Sequence, residues 1–137
     1  MSLDYALSLK QPWAALVVHG LKTIEIRRWS TRRRGRILIH AARIPDPREY
    51  AWGLVPTEFQ ETAQLAGGII GAVELGECFA YRTPEQFQAD QARHLNAPDW
   101  FQPPRLYGFR LSNPKPLPFR RFAGNVKFFT VPAPTHD

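Results

Sequence analysis

The apolar stretch Ala6 to Leu9 (ALSL) reads as a first strand. In the next segment, QPWAALVVHG, the residues Trp13, Leu16 and Val17 fall on one face of a helix. Pro12 suits its first turn, and Gly20 supplies a left-handed cap at its end. After Gly20 the period drops from about 3.6 residues to about 2. In KTIEIRRW, Ile24 and Ile26 point one way, while Thr23, Glu25, Arg27 and Trp29 point the other, which predicts a half-buried strand with Glu25, Arg27 and Trp29 in a row. STRRRG reads as a turn and RILIHAA (Arg36 to Ala42) as the next strand, so the pattern predicts a hairpin.

Further on, the pattern predicts a loop and a helix from about Glu58 to Leu65, ended by Gly67 and Gly68. Ile69 to Tyr81 reads as a long strand, with Gly71 and Gly76 marking a bend or bulge of the kind barrels use at corners. TPEQFQADQARHL is a helix by its start: Thr83 as N-cap, Pro84 in the first turn and Gln86 three residues after the cap. LYGFRLSNPKPLPFRRFAGNVKFFTV alternates well enough for two or three strands, and Pro114, Pro116 and Pro118 confine their stretch to an edge or turn. The order β-α-β-β-α-β-α-β-β predicts an α+β fold, a small, partly open mixed β-barrel with short peripheral helices. At 137 residues a single domain spanning residues 1–137 is expected.

The net charge of +6 is unevenly distributed. Residues 1–48 hold ten Lys/Arg against three Asp/Glu, residues 49–104 two against eight, and residues 105–137 six against one. Folding that joins the basic ends would create one positive face suited to nucleic acid, whereas an unspecific solubilising role would not need the segregation. The single cysteine, Cys78, excludes an intrachain disulfide and fits a reducing compartment. No signal peptide or membrane-spanning run is legible, so a soluble, cytoplasmic protein without membrane contact is expected.

The four histidines lie in separate segments without HxH, HExxH or a cysteine partner, and no metal site or cofactor is predicted. A phosphate-binding GxxxxGK[ST] loop, a GxGxxG turn and a nucleophile elbow are also missing. The informative phrase is GLKTIEIRRWSTRRRGR, residues 20–36. Lys22 follows the helix end, whose partial negative charge favours an ammonium. Glu25 beside Arg27 stays ionised and orders the guanidinium. With Trp13 or Trp29 as a stacking surface, this group suits the edge of a flat polar ligand, or else it is a surface ion-pair cluster.

Gly20-x-Lys22-x-x-Glu25-x-Arg27 resembles the GxKxxExR signature of the ASCH domain (activating signal cointegrator homology), a group within the PUA-like superfamily of small β-barrels. LSLKQPWAALVVHGLKTIE, followed by RRW and RRRGRILIHAA, is similar to the cointegrator-type branch of that family. GNVKFF (Gly124 to Phe129) is similar to the branch's closing GNxKxW strand, with Phe129 in place of the tryptophan. The likeness is strongest over residues 6–42 and weakens through the middle helices. It implies a PUA-like barrel with an RNA or nucleic-acid-related ligand beside the signature. Some small bacterial ASCH proteins are amidohydrolases on acetylated cytidine, using the signature lysine, a threonine and a downstream glutamate. Lys22 matches that pattern, but Glu25 occupies the threonine position, Thr23 is displaced from it, and Glu74 is the downstream carboxylate to consider.

The expected function is a binding module for RNA, single-stranded nucleic acid or a modified nucleoside. Gln11, Trp13, Arg27 and Trp29 would line the cleft, and Arg28, Arg32, Arg33, Arg34, Arg36, Arg120, Arg121 and Lys127 would contact phosphates. The alternative is a hydrolase, acetylcytidine amidohydrolase-like or a metal-independent ribonuclease, with Lys22 and Glu25 as catalytic residues. A protein-interaction domain is a third class, for which nothing in the sequence names a partner.

Overall fold

The computed structural model describes residues 3–134. Among these residues six strands form: β1 (Leu3–Leu9), β2 (Ile24–Arg27), β3 (Gly35–Ala41), β4 (Gly68–Tyr81), β5 (Leu106–Arg121) and β6 (Phe128–Pro132). Five short helices intervene: α1 (Trp13–Val18), α2 (Glu49–Gly53), α3 (Gln60–Ala63), α4 (Pro84–Ala89) and α5 (Gln91–His94), with single 3-10 turns at Thr57–Phe59 and Pro98–Trp100. The strands form one curled sheet, a half-barrel in the order β2-β5-β4-β3-β1-β6. Only β1 and β3 pair in parallel; the other neighbours are antiparallel.

The expected hairpin between β2 and β3 does not form. β2 pairs with β5, placing Glu25 opposite Phe109, while β3 lies between β1 and β4. Burial explains the exchange. Every residue of β3 from Ile37 to Ala41 is buried, and such a strand belongs in the sheet centre. Residues 28–34, with the arginine run, therefore form a connection between separated strands.

Three other readings are observed. β4 is one long strand with register shifts along its pairing with β5, the bulges that let it bend. The Thr83 hydroxyl accepts from the Gln86 amide at 3.1 Å and caps α4. Pro114, Pro116 and Pro118 lie within β5, where β2 has already ended and only β4 is paired, so they occupy a free edge.

All six residues of α1 are buried, since the helix packs against β1, β3, β4 and β5 of the sheet and against α3. Its closest approach is at Gly71, where a Cβ would lie 2.5 Å from Val18 Cγ1. The end of α1 sets up the site. Gly20, at φ +81°, closes a motif in which Gly20 N–H donates to Val17 O at 3.1 Å and Leu21 N–H to Leu16 O at 2.9 Å. Lys22 follows directly, and its amide also donates to Leu16 O at 3.0 Å.

Candidate functional site

The alternation in β2 brings the charged residues together. Ile24 and Ile26 pack on one face against Tyr81, Phe87 and Leu106, which frees the other face for Glu25 and Arg27 beside the principal core. Lys22 is 2% exposed. Its ammonium donates to Asn96 Oδ1 at 2.7 Å and to the carbonyl of His94, and lies 4.9 Å from the Trp13 ring centroid. Glu25 Oε1 is 3.8 Å from Nζ, an ion pair too long for a hydrogen bond. Glu25 Oε2 accepts instead from Arg27, at 2.9 Å from Nε and 2.8 Å from a terminal nitrogen. Arg27 also donates to Ser8 O at 2.9 Å, tying β2 to β1 across the opening.

Two cations thus share one carboxylate. The cluster carries a net positive charge, one ammonium N–H is uncommitted, and Glu25 Oε1 stands beside it as an acceptor. Burial lowers the Lys22 pKa from 10.5 to about 8; Glu25 opposes the shift and Arg27 adds to it. At pH 7 the group is still mostly an ammonium, so it acts first as a donor.

Aromatic rings flank the cluster. Trp13 donates from Nε1 to Asp46 Oδ2 at 2.9 Å and meets Trp100 edge to face at 5.9 Å, and Arg48 lies 4.2 Å over the Trp100 ring. Opposite, Trp29 is wedged against Phe109 and Phe128, with Arg27 and Lys127 near its ring at 6.0 and 5.6 Å. Lys127 comes from the GNVKFF segment, so that segment approaches the Trp29 ring.

The remaining expected residues lie elsewhere. Gln11 is buried, and its amide is committed to structure: Oε1 accepts from Ala15 N–H at 3.0 Å and Nε2 donates to Thr62 O and Leu65 O. Arg28 donates to Gln102 and takes no part in the Lys22–Glu25–Arg27 cluster. Arg33 stacks on Tyr5 at 3.3 Å, Arg34 folds back onto Thr31 O, and Arg36 pairs with Asp4 at 3.2 Å. Arg32 and Arg121 are exposed, and Arg120 donates to Pro132 O. In register, Arg36 lies opposite Glu74 and Arg120 opposite Ile69. Five strand positions separate them along β4, roughly 16 Å, so the arginines form a spread surface rather than one cluster. Glu74 shares the outer face of the sheet with Ala72 and Arg36, away from Lys22.

The sequence reading missed the partners that hold Lys22. His94 accepts at Nδ1 from Asn96 N–H at 3.0 Å and donates from Nε2 to Phe87 O at 2.6 Å, and burial lowers its pKa and keeps it neutral. This fixed ring places the His94 carbonyl and Asn96 against Nζ. The left-handed Leu95 between them, at φ +63°, turns both toward the lysine. Among the described residues no group of three or more His, Cys, Asp or Glu is placed to hold a metal, and no helix is long and apolar enough to cross a membrane.

A family model for the ASCH domain matches residues 7–116, a span that includes Lys22, Glu25, Arg27 and Asn96. The chain belongs to the ASCH domain family. It is 28% identical to activating signal cointegrator 1 of Homo sapiens, over 97% of this chain and 23% of that protein. With the Mus musculus protein of the same name it shares 35% identity over 61% of this chain and 15% of that protein. The chain therefore spans less than a quarter of the length of these relatives. The crystal structure of ASCH from Zymomonas mobilis aligns with a TM-score of 0.62 at 18% identity, covering 86% of this chain and 73% of that one. A tyrosine-to-phenylalanine mutant of that protein aligns with the same score over 75% of its chain. At this identity the likeness establishes the fold, a PUA-like α+β half-barrel.

Proposed function

We propose that this ASCH domain binds RNA or another single-stranded nucleic acid, with one base in the cleft of Lys22, Glu25 and Arg27 and the backbone on the surrounding arginines. The family is associated with RNA binding. The observation that supports this reading is the uncommitted Lys22 N–H beside Glu25 Oε1, 3.8 Å away, in a net positive cluster with the Trp13 ring near Lys22 and the Trp29 ring near Arg27. An ammonium that donates beside a carboxylate that accepts is complementary to the edge of a nucleobase, where acceptors and donors alternate. The net charge favours an attached phosphate.

Arg32, Arg33 and Arg34 contribute to this reading by charge alone, since none reaches the cleft cluster. Replacing all three by serine is expected to weaken binding of a single-stranded RNA and to flatten the dependence of log K on log salt by about two units, about 0.7 per lost phosphate contact. Titration at several salt concentrations measures both. An unchanged slope removes the arginine connection from the interface.

The lowered pKa of Lys22 favours a second reading, hydrolysis of an acylated nucleoside or of RNA with Lys22 as base. Two features weigh against it: Lys22 is held as a donor at neutral pH, and Glu74 faces away. Incubation with acetylcytidine, and separately with RNA under chelator, decides between the readings. Turnover that disappears in Lys22→Met would establish the hydrolase.

A further inference from the structure

Arg27 and Arg28 are consecutive but face different spaces. Arg27 turns into the cleft, toward Glu25 and Ser8 O, while the exposed Arg28 donates to Gln102. Gln102 belongs to the segment that follows Trp100, the indole packed on Trp13 in the cleft wall. Between Arg28 and the segment from Gln102 to Leu106 lies an open groove of about 300 Å³, lined by Arg28, Gln102, Pro103, Pro104, Arg105 and Leu106. This volume is at the lower end of the range that holds small ligands. The groove is linked to the Lys22–Glu25–Arg27 cluster through the chain: Arg28 directly follows Arg27.

Its charge is uncompensated. Arg28 and Arg105 both line it, and among the described residues neither is paired with a carboxylate. Arg105 is oriented by its Nε, which donates to the Tyr107 hydroxyl at 2.8 Å, leaving its terminal nitrogens for another acceptor. Two guanidiniums facing one groove repel each other unless an anion lies between them, and guanidinium forks match phosphate oxygens. Pro103, Pro104 and Leu106 complete the lining.

We propose that this groove is a phosphate subsite, which holds the backbone phosphate adjoining the nucleotide in the cleft. The identity of the strand rests on the binding function proposed above, whereas the anion site does not. The first test follows the side-chain Nε–H resonances of Arg28 and Arg105 by NMR as inorganic phosphate replaces chloride at constant ionic strength. Both resonances are expected to shift together and to saturate. No saturable shift overturns the subsite, whether or not the protein binds RNA.

The second test compares wild type with Arg28→Ala/Arg105→Ala for a single-stranded RNA. The double variant is expected to bind about tenfold more weakly, as loss of a charge-assisted contact predicts, with a salt slope lower by about 0.7. Arg28→Lys/Arg105→Lys should keep the slope. Phosphate shifts with unchanged RNA affinity overturn the assignment to a strand. If wild type binds no RNA, the function assigned to the cleft fails, and with it the strand assignment.

Discussion

Lys22→Met is expected to remove a distinct alkaline rise in stability. Burial lowers the folded-state pKa of Lys22 to about 8 against an ordinary 10.5, so between these values the unfolded chain binds the extra proton. Stability of the wild type should therefore increase with pH across that window, by about 3 kcal/mol, from roughly 1.36 kcal/mol per pH unit. Below pH 8 the desolvation penalty is fully present. Methionine has similar length and no charge, so the difference between the two proteins isolates Lys22 from the other groups that titrate near pH 10. Urea denaturation of both at pH 7, 8, 9 and 10.5 measures it. Parallel curves would mean that the ammonium is solvated.

Glu25→Gln should have the largest effect on stability at neutral pH. The substitution keeps the shape of the side chain and removes the one negative charge that Lys22 and Arg27 share, at 3.8 and 2.8 Å. An uncompensated buried charge costs about 3 to 5 kcal/mol, and a value near 3 kcal/mol is expected because Arg27 is partly exposed and solvated. The Lys22 pKa should also fall further, since Glu25 is the group that raises it. Denaturation at pH 7 and the titration of the Lys22 Cε resonance read the two consequences. A loss below about 1 kcal/mol would place the cluster with ordinary surface ion pairs. Because the three groups act as one network, Lys22→Met/Glu25→Gln should destabilise less than the sum of the single changes.

The parts of the Lys22–Glu25–Arg27 cluster that depend on local chemistry were legible in the sequence. Gly20 reads as a left-handed cap because a tryptophan-led apolar helix ends there. The switch to a period of about 2 separates Ile24 and Ile26 from Glu25 and Arg27. The Thr83 cap and the prolines of β5 were equally local. What depended on distant pairing was not legible. β2 reads as half of a hairpin because β3 is the next strand, but its partner is β5, and only the burial of β3 on both sides explains the exchange. The acceptors of Lys22 lie 72 and 74 residues away, at His94 and Asn96, where the sequence offers a short helix end and no motif. The arginine run was legible as charge, but its division was not. Arg28 bonds to Gln102, Arg33 packs on Tyr5 and Arg36 pairs with Asp4.

The central proposal is that the buried Lys22 contacts a nucleic acid. It is tested most directly by the affinity of wild type and Lys22→Met for the same mixed-sequence single-stranded RNA at matched pH and salt. The account predicts about a tenfold loss of affinity for the variant, with a nearly unchanged salt slope, because a base-directed donor is removed while the phosphate contacts remain. Equal affinities would contradict it and leave only the surface arginines as the binding site.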